Sequence, residues 1–457
     1  PPPVDADPAM LALSGVAPAT IYEGQGDVDG GSRPAVVVVS GSNFDGAANP
    51  SIAITLADGS PAPLEVVTAE LRVDAQFSYL VVPVRVPVNV DLDGASGPTN
   101  LKITVAQDIP GGGRVQRELL TGLKVQMLPE LEGATTLQNR LAPYEYARVN
   151  GSITASAGEH PVRVHSWSRM TIDGVTGLSA SGATAGPAGG AGAGQAAGGQ
   201  AGNMGGGPSG GDGGTVGVSG LLGGAGGNGK NGKWLGSELL PTLGPANTHR
   251  SSGGGSGGGG VTTLGPGGAG GPGGGGGGAL QLRADGHLTI PNSFSAAGAA
   301  GSDVSGNGGG GGNGTGGSVV LQAGGTLDVA GTISVAGGGS GAEAAPPGKI
   351  RYDAPALSIN TAIAGYRGPA FVAGTPAIVT VPRPMLSVVG TAVSTAYYYL
   401  VDATGSSALL PIELGPSETP FTLGADLKPG LNQVCLVVDG AEKGSDTRSC
   451  IDVVYVR

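Results

Sequence analysis

GALQLRADGHLTIPNSFSAAG, residues 278–298, and GSVVLQAGGTLDVAGTISVAG, residues 317–337, align without a gap. Leu280, Leu282, Leu288, Ile290 and Phe294 fall on Val319, Leu321, Leu327, Val329 and Ile333. Apolar residues alternate with polar or small ones, and Gly or Asn stands at the breaks. Alternation with a period of two marks a strand that buries one face. Three such short strands cannot close a core within one unit. Units that stack can, by piling like residues on like, and that is the sequence pattern of a parallel β-helix.

The pattern continues in both directions. Val162, Val164, Met170, Ile172 and Leu178 repeat the set with a small insertion. Ile350, Tyr352, Leu357 and Ile359 repeat its first half with one residue deleted. The stretch 148–155 matches 328–335, which would place Val149 on Val329. These matches predict about four coils with partial coils at either end, enough for a stable stack. Leu282, Leu321 and Tyr352 should then be vertical neighbours. Residues 135–142 are expected to form a short helical or looped cap where the stack begins, because an open solenoid end exposes strand edges and core.

Each coil carries its insertion after the third strand, at 183–277, 299–316 and 338–347, so all three should leave from one side of the stack. Roughly two thirds of the 93 glycines lie between residues 182 and 348. Two readings are open. Gly-rich chain can be flexible linker, or it can pack as polyproline-II-type strands, because backbones without side chains approach closely enough to pair N–H with C=O. A less glycine-rich piece at 230–250 holds Trp234, Leu235, Leu239 and Leu240, either an anchor folding the loop back on the stack or an exposed contact tip.

Residues 1–130 read as all β, with strand runs at 35–39, 51–56, 80–90 and 101–105 separated by Gly, Asn, Asp and Pro turns. Pro83 and Pro87 suit an edge strand. Leu13-Ser14-Gly15-Val16-Ala17-Pro18, then Ser40-Gly41-Ser42-Asn43-Phe44, then Ser51-Ile52-Ala53-Ile54 resembles an IPT/TIG domain, with a longer insertion than usual at 24–33. The resemblance implies an immunoglobulin-like sandwich serving as a binding or spacer module at the cell surface. The run 325–337 resembles the coils of secreted β-helical adhesins of the filamentous-haemagglutinin type. Residues 374–457 form a third β unit, with strand-like runs at 378–381, 385–389, 396–401, 433–438 and 451–456, and resemble the Ig-like domains found at the C-terminal end of bacterial surface proteins. The expected fold is therefore all-β: an Ig-like sandwich over 1–130, a short parallel β-helix with polyglycine-rich lateral inserts over 131–373, and an Ig-like sandwich over 374–457.

Both cysteines, Cys435 and Cys450, lie in apolar strand-like runs of the last unit. A hairpin disulfide between neighbouring strands is expected, in an oxidising compartment. Low charge, 12%, and few aromatics, 4%, point to an extracellular structural protein more than to a cytosolic enzyme. The net charge of −11 and the lack of a basic run argue against nucleic acid. No apolar run is long enough for a transmembrane helix. The start at Pro1-Pro2-Pro3, without Met, reads as a mature end with a signal peptide removed, and suits a tether below a lipid anchor upstream of Pro1.

Catalytic and metal patterns are poorly supported. β-helical glycan lyases and hydrolases need carboxylates from adjacent coils on one face. Asp285 falls on Gly324, and Asp328 on Thr289 and Thr171, so no acidic column forms. Asp173, Asp285, Asp328 and Asp353 are expected as solvated strand or corner residues. His160, His165, His249 and His287 are scattered, without zinc-ligand spacing. Asp27-Val28-Asp29-Gly30 and Asp91-Leu92-Asp93-Gly94 imitate the start of a calcium loop but lack its downstream Glu, which favours acidic turns. The expectation is a non-enzymatic extracellular structural or adhesive surface protein without cofactor or metal. Its partners would be other surface proteins or further copies of itself. The alternative is a glycan-binding or polysaccharide-cleaving β-helix.

Overall fold

The computed structural model describes residues 7–88, 99–216, 261–438 and 449–456, apart from 121, 139, 198, 207–209, 263–264, 267, 304–306, 341–343, 361–364, 373–377, 392–395 and 416. Among them, helix is confined to short 3-10 turns and everything else regular is strand.

The repeat stretch forms the predicted stack. A front sheet runs Tyr144–Tyr146, Val162–Ser166, Ala279–Ala284, Ser318–Ala323, Lys349–Asp353 and Tyr366–Arg367, all parallel. A back sheet runs Leu131–Leu137, Val149–Ala155, Met170–Thr176, Leu288–Ile290, Thr326–Val329 and Ala356–Ile359, also parallel. Phe294–Ser295 pairs with Ile333–Ser334 on the third side. Leu282 is the Cα partner of Leu321, and Leu321 of Tyr352, so the expected column exists. Leu282 and Leu321 are buried, and Tyr352 packs against the same core.

Each sheet has six strands, in keeping with about four coils and a partial coil at either end. Two details differ from the sequence reading. Residues 135–137 are not a cap but the end of the first back-sheet strand, pairing with Ile153, Thr154 and Ala155. Val149 stacks on Met170, which stacks on Leu288, which stacks on Leu327, so its register is two residues away from the Val329 match. The ladder shifts by one residue between Gly151 and Ser152. A bulge of this kind breaks the relation between sequence spacing and vertical position.

The described parts of the inserts are packed. The segment around 271–277 is hydrogen-bonded on two sides: Gly276 N to Gly190 O at 2.8 Å and Gly273 N to Ala193 O at 2.9 Å, and Gly274 N to Gly312 O and Gly277 N to Thr315 O, both 2.9 Å. Gly338 N reaches Gly314 O at 2.8 Å, bringing in the third insert. These chains are neither helix nor strand ladder, as packed polyproline-II-type segments would be. A Cβ on Gly314 would sit 2.1 Å from the Gly275 carbonyl oxygen, so the layers close only because that side chain is absent.

The N-terminal unit is a sandwich. One sheet has the order Ala12–Ala17, Ala35–Ser42, Tyr79–Arg85, Glu65–Val66, with Arg72–Asp74 also on Tyr79–Arg85; the other has Thr20–Tyr22, Lys124–Gln126, Thr99–Asp108, Ser51–Leu56, with Arg114–Leu119 on Thr99–Asp108. Pro83 is therefore in an interior strand, not an edge. Its carbonyl accepts from Val67 N at 2.9 Å, so its missing N–H points the same way. On that side Glu65–Val66 pairs with residues 84–85 and Arg72–Asp74 with residues 79–81, and Pro83 falls in the gap between these partners. No ladder bond is lost there.

The C-terminal unit packs Ala370–Phe371, Met385–Val389 and Thr419–Thr422 against a second sheet containing Ile378–Val379, Ser449–Tyr455, Gly430–Val438 and Ala396–Asp402. Cys435 and Cys450 face each other across the hairpin and are bridged.

The outer faces of the two terminal sandwiches meet. Val36, Val38 and Val81 from the first form one buried cluster with Val454 and Val456 from the last. Val37, Val39, Leu80 and Val82 point the other way, into the first sandwich's own core. This explains why 35–39 and 80–82 read as continuous apolar runs: strands covered on both faces do not alternate.

Candidate functional site

The front sheet's outward positions build a polar ladder. Glu145, His165, Arg283, Gln322 and Asp353 are successive Cα partners up the stack. The His165 ring lies 3.1 Å from Asp285 through Nε2 and 3.8 Å from Glu145 through Nδ1. Arg283 donates to the same Asp285 oxygen, with Nη2 at 3.2 Å. Gln281 Nε2 donates to Gln322 Oε1 at 2.7 Å, and Gln322 Nε2 to Asp353 Oδ2 at 3.0 Å. Arg351 grips Asp353 through Nε at 2.8 Å and through Nη2.

Asp285 and Asp353 are thus not the solvated corner residues the sequence suggests. Asp353 is 2% exposed and Arg351 1%. The reason is tertiary: the terminal sandwiches lie over this face of the stack. A charged pair removed from water persists only when its hydrogen bonds are met internally, as they are here.

The 24–33 insertion makes the N-terminal closure. The Asp27 carboxylate accepts from Ser168 Oγ, and Gly30 O from His287 N at 2.7 Å. Gly31 has φ +68°, and a Cβ there would fall 2.3 Å from His287 Nε2. The acidic turn read from Asp27-Val28-Asp29-Gly30 is therefore a latch between domains. Tyr22 stacks on Trp167 with ring centroids 4.1 Å apart and planes 6° from parallel. Arg33 Nη2 donates to Val372 O at 3.3 Å, tying the first unit to the last.

Where the three units meet they form a partly open cavity of about 520 Å³, within the size range of small-molecule sites. Tyr22, Gln25 and Arg33 come from the first sandwich, Trp167, Arg283, Asp285 and Asp353 from the stack, and Asp402, Asn432, Gln433 and Asp452 from the last unit. Burial would raise the Asp285 carboxyl, but Arg283 and His165 outweigh it and hold it down at about 2. Asp452 moves the other way. Burial lifts it, the hydrogen bond from Gln433 at 3.3 Å draws it partly back, and the charge of Asp285 lifts it again. Burial pulls the Arg33 guanidinium below its ordinary value.

Of the residues singled out from sequence, Cys450 lines the cavity and is bridged to Cys435. Trp234, Leu235, Leu239 and Leu240 lie outside the described residues, as do His249 and the 91–94 turn. Among the described residues no three His, Cys, Asp or Glu side chains come together as a metal-ligand group, and no helix is long and apolar enough to cross a membrane. The ladder itself was missed because only acidic positions were compared between coils; reading the column Glu145, His165, Arg283, Gln322, Asp353 as a whole would have shown it.

No protein-family model matches the sequence, and no curated protein matches it as a relative.

Proposed function

We propose that this chain is a non-enzymatic structural or adhesive protein of an extracellular or outer-surface assembly. The supporting observation is the glycine slab. Three inserts leave one flank of a rigid stack, and their described parts bond to one another mainly through backbone N–H and C=O groups. Such a surface presents N–H and C=O groups over an extended area while carrying almost no charge, which suits lateral contact with other surface proteins or with further copies. The disulfide accords with an oxidising compartment, and the IPT/TIG and filamentous-haemagglutinin resemblances point to the same setting.

The test is to replace 183–277 with a short turn and follow attachment and assembly of the producing cells. The expected result is loss of attachment with the disulfide and the sandwich near-ultraviolet signature intact, and no release of reducing ends from a polysaccharide panel by either protein. Glycan turnover by the intact chain would instead favour the alternative, a polysaccharide-cleaving β-helix.

A further inference from the structure

We infer that the cavity at the junction of the three domains is a binding site for a neutral saccharide unit of one or two rings. Asp353 is taken by Arg351 and Gln322, and one oxygen of Asp285 is taken by His165 and Arg283. Among the described residues, Arg33 donates to a single carbonyl, that of Val372, and Asp452 accepts from a single amide, that of Gln433. The cavity therefore offers a planar cation from one wall and carboxylate acceptors from the two others.

The chemistry excludes simpler occupants. An anion would meet the carboxylates that line the cavity, Asp285, Asp353, Asp402 and Asp452. A cation would meet the guanidiniums of Arg33 and Arg283, and Asp285 and Asp353 are each already paired with an arginine. A neutral ligand with many hydroxyls satisfies both kinds of group: its O–H groups donate to Asp452 and Asp285, and its oxygens accept from Arg33. Tyr22 and Trp167, stacked on each other and both only partly buried, give it apolar ring surface for sugar C–H groups. Each wall belongs to a different domain, so the ligand would also bind the domains to one another. This inference is independent of the adhesive reading, since a chain that failed to hold cells together could still bind sugar here.

The site carries its own reporter, because the chain has two tryptophans and Trp167 lines the cavity. In a Trp234→Phe background of the full chain, emission is followed while glucose, galactose, mannose, N-acetylglucosamine and their disaccharides are titrated. The expected result is saturable change with at least one sugar, weakened about tenfold or more by Arg33→Ala and by Asp452→Ala, each losing a hydrogen-bonding partner. Calorimetry on the unsubstituted chain should return the same sugar. The inference fails if no sugar saturates up to about 100 mM, the weak limit for a specific site. It fails equally if both substitutions leave binding intact while thermal melts show them folded, or if agmatine or inorganic phosphate saturates the signal and sugars do not.

Discussion

Asp285 and Asp452 line one cavity from different domains, and their surroundings push the two carboxyls in opposite directions. For Asp285 the folded value is depressed, so its contribution is present above the ordinary aspartate value and is lost as pH falls through about 2. For Asp452 the folded value is raised, so the contribution has the reverse sign: it is full below the unfolded value of 3.8 and is lost as pH rises through the folded one. At neutral pH Asp452 therefore weakens the fold, through burial of its charge and repulsion from Asp285. Asp452→Asn keeps the shape and removes the charge. It should raise the denaturation midpoint at pH 7 and leave it unchanged near pH 3, where the native acid is already protonated. Urea midpoints at the two pH values check this, and a variant less stable at pH 7 would show that the carboxylate is instead held by favourable contacts. A cavity that retains such a group at a cost to stability fits a place where ligand chemistry, not packing, chose the side chain.

At the level of elements, the glycine layers make the sharpest forecast. Gly314 has the Gly275 carbonyl oxygen 2.1 Å from where its Cβ would be, whereas Gly194 has no atom within 4 Å and is exposed. Gly314→Ala must separate two layers and should cost ~1–3 kcal/mol as overpacking. Gly194→Ala should be neutral or slightly stabilising, since it only restricts the unfolded chain. Thermal melts of the two variants check the pair; equal melts would mean that the layers yield easily. How far such elements could be read beforehand differed by kind. The Leu282, Leu321, Tyr352 column was legible because a stacked strand keeps its period of two and each coil repeats its length. Val149 falls two residues from its sequence match because a slip of two keeps every side chain of a strand on the same face and so leaves no mark in apolar spacing. The inserts were undecided because glycine composition suits both coil and packed layers; what ordered them was their anchoring at fixed corners of a rigid stack.

For the whole molecule, the cavity was the least legible feature, since residues such as Arg33, Asp285 and Asp452 are gathered from three domains and no local spacing relates them. One trace of the closure did exist: the unbroken apolar runs at 35–39 and 80–82, and at 453–456, are what strands covered on both faces look like. The seam they form joins Val36, Val38 and Val81 to Val454 and Val456, beside the Tyr22–Trp167 stack and the Gly30–His287 bond. Val454 is fully buried yet faces away from the core of its own sandwich, which contains Val453 and Tyr455. A charge at Val454 should thus open the seam, at a cost on the order of 2–4 kcal/mol, without unfolding the sandwich. A compact chain of 457 residues has a radius of gyration of about 23 Å. For Val454→Asp we expect a rise of several ångströms by small-angle scattering, a red shift of Trp167 emission as Tyr22 leaves it, and an intact Cys435–Cys450 bridge. Val453→Asp, by contrast, should unfold the C-terminal sandwich itself. If Val454→Asp scatters like the parent chain, the apolar seam is not what holds the three domains around the cavity, and the polar ties, Asp27 and Gly30 to the stack and Arg33 to Val372, hold them instead.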